Sequence, residues 1–200
     1  MSDRSVGQPD VSFPRLVSLA AHDLRTPLAT ISGFAQTLVR IGNLEAPNDR
    51  YMSMIVEASR QLAELLDELG LAARIAGDRY EPNLQPVDTL QLARAAQEEL
   101  GEERVHVHGA GGEVHVDVEP TRRGIAALVQ AALRHGGLEE VDVDADDATV
   151  TIRPVTEASG PVVTGTDLRD LGAAVAVRLV EALGGSVAVD GDAVAVRLPT

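Results

Sequence analysis

The sequence predicts an α+β protein: a long N-terminal helical hairpin that pairs into a dimeric four-helix bundle, then a C-terminal α/β sandwich. Three observations carry this. From about Ser12 to near Ile41-Gly42-Asn43 apolar side chains repeat at a helical period, and they do so again from Tyr51 to a fade near Ala76-Gly77. Beyond Pro82 and Pro86 the chain changes to short alternating runs interleaved with helical ones. Its 200 residues suffice for one ordinary domain or two small ones. The expected division is a flexible tail 1–11, a helical hairpin 12–77, a linker 78–86 and an α/β domain 87–200.

The first helix is read on a wheel with Leu24 at zero. Phe13, Val17, Ala20, Leu28, Ile31, Ala35 and Leu38 then fall within about 40° of it. Pro27 lacks an amide hydrogen, so a kink or loosened turn is expected before it. Ile41-Gly42-Asn43 supplies a stop and Ala46-Pro47-Asn48-Asp49 the caps of the next helix. That helix carries Tyr51, Met54, Ile55, Ala58, Leu62, Leu65, Leu66 and Leu69, and fades near Ala76-Gly77. Two helices on a short loop lie antiparallel but cannot enclose a core, so a second copy completes the bundle.

In the second half, Val87–Leu100 reads as a helix with Asp88 or Thr89 near its start. Val105–His108 and Val114–Val118 alternate like strands, joined by Gly109-Ala-Gly-Gly. Pro120–Arg134 reads as a helix stopped by Gly136-Gly137, and Asp167–Leu183 as one stopped by Gly184-Gly185. Val141–Val143 and Ala148–Ile152 are further strands. Ser186–Val189 and Ala193–Leu198 form a hairpin across Asp190-Gly191-Asp192.

Composition excludes several functions. There is no cysteine, hence no disulfide scaffold, thiolate metal site or thiol nucleophile. No apolar run approaches the ~18 residues of a membrane span, and the first ten residues lack a signal-peptide core. A cytoplasmic location with no membrane partner is expected. All 17 basic residues are Arg. Residues 1–80 hold 8 Arg against 10 acids; residues 81–200 hold 9 against 21. No basic stripe is visible and aromatics are 2%, so no nucleic-acid partner is expected.

The segment richest in chemistry is His22-Asp23-Leu24-Arg25-Thr26-Pro27-Leu28. On the wheel His22 lies about 160° from Leu24, opposite the apolar stripe, and Thr26 shares its face. A neutral imidazole nitrogen can attack a phosphoryl group and form a phosphoramidate. Asp23 can accept the other ring N–H and fix the tautomer. Thr26 can position a water for the reverse, hydrolytic step, and Arg25 can balance phosphate charge. Taken alone, the same residues also describe a solvated polar helix face.

The whole string, on a long helix followed by a second, resembles the phosphoacceptor motif of bacterial sensor histidine kinases at seven positions, the proline included. The resemblance implies that residues 12–77 are a dimerisation and histidine-phosphotransfer domain. It implies that His22 is the phosphorylated residue and that Asp23 assists it. Thr26 falls where that family places the residue used to dephosphorylate its partner. The final helix and hairpin, from Gly172 to Pro199, resemble the end of the family's Bergerat-like ATP-binding domain. The helix Arg122–Gly137 resembles the one that normally holds a metal-binding asparagine.

The departures define the expected function. Ala127 and Ala131 stand at the usual asparagine positions, and alanine cannot ligate Mg²⁺; Gln130 is adjacent but points elsewhere on a helix. Arg153-Pro-Val-Thr-Glu-Ala-Ser-Gly-Pro replaces the adenine-reading Asp-x-Gly-x-Gly box. The lid is short, and the glycine-rich phosphate turn is reduced to Leu171-Gly172-Ala-Ala. These losses together imply no ATP and no cofactor of its own, with Mg²⁺ supplied by a partner receiver domain. The expectation is a kinase-derived histidine phosphotransferase of a phosphorelay. It would be a homodimer taking phosphoryl from a receiver aspartate onto His22 and passing it to another response regulator. Receivers would pack around Arg25, Ala29, Gly33 and the facing part of the second helix. The alternatives are an ATP-dependent kinase core with an aberrant nucleotide site, a pseudokinase or response-regulator phosphatase acting through Thr26, and a helical dimeric adaptor.

Three further features have plainer readings. His106, His108 and His115 on neighbouring strands can ligate a metal or stand as exposed polar residues. Gly109-Ala-Gly-Gly opens no helix and reads as a hairpin loop rather than a phosphate cradle. Asp142–Asp147 lacks calcium-loop spacing and reads as a solvated turn.

Overall fold

The computed structural model describes residues 12–42 and 48–200. The expected tail 1–11, the stop residue Asn43 and the capping residues Ala46 and Pro47 lie outside the described residues. The chain divides into two compact units, meeting between Tyr80 and Glu81.

The first unit is a pair of long helices, α1 (Ser12–Ile41) and α2 (Asn48–Ala76). Helix α1 is assigned continuously through Pro27, which removes one amide donor from its ladder. The two helices pack along a seam that lies to one side of the stripe read from the wheel. On α1 the buried residues are Ala21, Leu28 and Ala35; on α2 they are Ser59, Gly70 and Ala73. Apart from Leu28 these are small residues, seven apart on α1 and eleven and three apart on α2, so the helix axes approach closely. The large residues Leu24, Ile31, Tyr51, Met54, Leu62 and Leu65 stay exposed. A wheel reports an apolar face but not which neighbour covers which edge, and this face is wider than one partner helix can cover. Among the described residues, no helix is long and apolar enough to cross a membrane.

The second unit begins with β1 (Leu84–Asp88) and α3 (Thr89–Leu100). The helix therefore starts two residues later than expected, and residues 84–86 of the expected linker are strand. Asp88 caps α3 by accepting from the Leu90 amide at 2.7 Å. There follow β2 (Val105–Gly111), β3 (Glu113–Asp117), α4 (Val118–Gly136), β4 (Val141–Asp146) and β5 (Thr149–Arg153). The chain ends with a short α5 (Gly160–Val163), α6 (Leu171–Ala182), β6 (Ser186–Asp190) and β7 (Ala193–Arg197). Helix α6 is shorter than the expected Asp167–Leu183 because Asp170 caps it, accepting from the Ala173 amide at 3.1 Å.

The expected β2–β3 hairpin is absent. Strand β2 pairs in parallel with β4 and begins a five-stranded sheet of order β2-β4-β5-β7-β6, while β3 pairs with β1 in a separate two-stranded sheet. The glycines explain the exit. Gly109 has φ +104°, and a Cβ there would collide with the Ala145 carbonyl oxygen. The ladder slips between His108 and Gly111, and the chain leaves β2 instead of folding back on it. Helix α4 makes the crossover that a parallel pair requires. The β6–β7 hairpin forms as expected.

One face of the larger sheet is buried. Val141, Val143, Val150, Ile152, Val194 and Val196 are fully enclosed, alternating with outward polar residues on β4 and β5 and with Ala193, Ala195 and Arg197 on β7. Leu92, Ile125, Leu128 and Val129 from α3 and α4 meet them in one core. Leu128 has no solvent exposure. Leu128→Ala is expected to cost about 2–5 kcal/mol in urea unfolding, through lost burial and a residual cavity. At the start of α4, Glu119 accepts from Arg122 at 2.8 Å and Arg123 at 3.0 Å. The Arg122 hydrogen bond is the main cause that holds its carboxyl below the usual range, against some desolvation. A carboxyl depressed in the folded state stabilises above its unfolded titration and loses that contribution as pH falls. Glu119→Gln is therefore expected to lower stability slightly near pH 7 and to leave it unchanged in acid, flattening the acid limb of a stability–pH profile.

Candidate functional site

The N-terminal unit presents a polar patch built by one helix. Pointing opposite the apolar stripe, His22 is 76% exposed in its side chain. Its Nδ1 lies 3.2 Å from Asp23 Oδ1. When Nδ1 carries the ring proton and donates it to Asp23, the lone pair of Nε2 faces solvent. His22, Arg25, Thr26, Ala29 and Thr30 line a shallow surface depression of about 490 Å³. Thr26 stands on this face as the wheel predicts, and its carbonyl accepts from Thr30 Oγ1 at 3.1 Å. Gly33 is open, with no atom near the place of a side chain.

All four residues singled out in the sequence thus sit on or beside one face, but Arg25 is not free. Its Nη2 donates to Asp67 Oδ1 of α2 at 2.8 Å, with the two side chains 43% and 44% exposed. Sequence reasoning missed Asp67. The contact spans 42 positions, and no local pattern on α2 distinguishes this acid from its neighbour Glu68.

In the second unit the structure places the residues that replace the expected nucleotide ligands. Ala131 is fully buried, Ala127 is half-buried and Gln130 is exposed. Helix α6 packs directly on α4; a side chain added at Gly124 would meet Ala176 Cβ at 3.4 Å. The segment after β5 folds inward, burying Val155, Val162 and Val163 in the same core. The fold is stapled across the helix ends by Asp170, which meets Arg134 at 3.3 Å and His135 at 3.2 Å.

The histidine cluster separates. His106 pairs with Glu140 at 3.0 Å and His108 with Asp142 at 3.3 Å, while His115 lies in the other sheet. Among the described residues no group of three or more side chains is placed to hold a metal ion.

A phosphoacceptor-type hairpin followed by an ATP-binding-domain-like α/β unit is the class this fold and site define. Residues 15–77 match the family described as the His Kinase A (phospho-acceptor) domain. The sensor protein kinase PmrB of Pseudomonas aeruginosa is 31% identical over 91 residues, covering 46% of this chain and 19% of PmrB. The probable sensor histidine kinase TcrY of Mycobacterium tuberculosis is 31% identical over 106 residues, covering 53% of this chain and 21% of TcrY. The chain spans about a fifth of the length of these curated relatives. Full-length ShkA, crystallised with AMPPNP, has the same fold at a TM-score of 0.66 and 22% identity, over 92% of this chain and 44% of ShkA. The histidine kinase AdeS of Acinetobacter baumannii matches at a TM-score of 0.56 and 16% identity, over 89% of this chain and 97% of its own. Residues 15–77 thus match a phospho-acceptor domain, and the fold of the chain is histidine-kinase-like.

Proposed function

We propose that the chain is a histidine phosphotransferase that moves phosphoryl groups between receiver domains without using ATP. The observation that carries this is the exposed His22, oriented by Asp23 at 3.2 Å; it is supported by alanine at 127 and 131, where the kinase resemblance expects asparagine. With the Nδ1 proton held by Asp23, Nε2 attacks phosphorus in the aspartyl phosphate of a receiver. The P–N bond forms as the P–O bond to the aspartate breaks, and the aspartate leaves as a carboxylate. The ring then carries a positive charge that the Asp23 carboxylate offsets. Transfer to a second aspartate breaks the P–N bond and restores the neutral ring. Both phosphoryl carriers are high-energy, so no nucleotide is consumed, and any Mg²⁺ comes with the receiver. Arg25, beside the depression, balances phosphoryl charge, and Thr26 places water for hydrolysis. The functional unit is a homodimer through the exposed apolar edge of the hairpin, with receivers docking over Arg25, Ala29 and Gly33.

The sensor kinases among the relatives favour a second reading, an ATP-dependent kinase core with an altered nucleotide site. One experiment separates the two. The protein and His22→Ala are each mixed with labelled ATP and Mg²⁺, and separately with a labelled phospho-receiver. Label from the receiver alone, lost in His22→Ala, is the expected result. Label from ATP would establish the kinase core instead, and no label from either would sink both.

A further inference from the structure

Resting on the reading of His22 as phosphoacceptor, we propose that Asp67 is a positioning residue: it holds Arg25 beside the His22 patch and yields it to the phosphoryl group once that group is in place. The ion pair joins the two helices at 2.8 Å, at the rim of the depression that His22 and Arg25 share. Arg25 follows His22 by three positions, about 60° round the helix, near enough for its long side chain to sweep between the two. Both Arg25 and Arg74 reach over Gly70 of α2: a side chain there would stand in ordinary contact, 3.9 Å from Arg25 Nη2 and 3.7 Å from Arg74 Nη1.

The exchange follows from relative charge. A half-exposed carboxylate–guanidinium pair contributes only about 0.2–1 kcal/mol. A phosphoryl group carries close to two negative charges at neutral pH and offers a guanidinium bidentate acceptors. Arg25 therefore leaves Asp67 for the phosphorylated ring and returns when the group departs. Cleavage of the P–N bond has a loose, metaphosphate-like transition state: as the bonding pair passes to the ring nitrogen, the phosphoryl group falls from two negative charges toward one. A guanidinium paired with the dianion stabilises the phosphorylated state more than that transition state. Arg25 should thus prolong phospho-His22, and Asp67, as its competitor, should shorten it.

The test is the half-life of phospho-His22 in the full chain, phosphorylated with phosphoramidate and followed as the signal lost in His22→Ala. In hydrolysis, water supplies the new P–O bond as the P–N bond breaks, releasing inorganic phosphate. Asp67→Asn is expected to lengthen the half-life by up to about fivefold, the factor such a pair is worth. Arg25→Ala is expected to shorten it, and Asp67→Glu to restore the wild-type value. In the Arg25→Ala background, Asp67→Asn should change nothing further. An equal Asp67→Asn effect in both backgrounds, or a lowered melting temperature with an unchanged half-life, overturns the proposal while His22 stays the phosphoacceptor. No His22-dependent signal in the wild type overturns the phosphoacceptor reading itself, and this inference with it.

Discussion

Replacing His22 by alanine is expected to abolish phosphoryl uptake from a phospho-receiver, by at least about 10³-fold relative to wild type, because no other group supplies the attacking lone pair. The fold should not suffer. His22 is 76% exposed and its recorded contact is with its chain neighbour Asp23, while alanine is the better helix former. Circular dichroism and the melting temperature should stay at wild-type values while the label vanishes. Uptake that persists in this variant would move the phosphoacceptor to another residue. His106, His108 and His135, each already paired with a carboxylate, would be the next to replace. Asp23→Asn should give a partial loss, since the ring keeps its nitrogen but loses the charge that offsets the phosphorylated imidazole.

Ile31→Glu is expected to convert a dimer into monomers. Ile31 is 54% exposed in the single chain and lies with Leu24 on the edge that α2 does not cover. In a two-fold bundle each substitution occurs twice, so two unpaired carboxylates are buried at once. At about 2 kcal/mol or more per copy, the dissociation constant rises by about 10³-fold or more. Sedimentation or light scattering at micromolar concentration reads the result. The α1–α2 seam is untouched, because it is built from Ala21, Leu28 and Ala35 against Ser59, Gly70 and Ala73. Each hairpin should therefore remain helical. An unchanged mass would place the dimer contact elsewhere or remove it.

Much of the site is legible in one dimension. The helical period fixes which residues of α1 point together, and His22 and Thr26 follow from it directly. The position of a histidine beside an aspartate needs no tertiary information, because the contact is between neighbours. Asp88 is one of two residues read near the start of α3, and the structure makes it the cap, two positions into the expected helix. Other readings failed where two segments competed for the same partner. Val105–His108 and Val114–Val118 carry good strand signals on either side of a glycine run, and a hairpin is the local solution. The parallel β2–β4 pair won because it joins Val105 to Val141 and Val107 to Val143 above the helices of the core. The short α5 was missed as well. It is too brief for a periodic signal, and Val162 and Val163 are drawn inward by α4 and α6.

The helical hairpin and the solvent-facing histidine motif could be read from one dimension, since each rests on side-chain direction within one element. Only the tertiary structure decided the α1–α2 seam, the split of β2 and β3 between two sheets and the tethering of Arg25 by Asp67. Those depend on contacts between residues far apart in the chain, where shape, burial and chain exit outweigh any local preference.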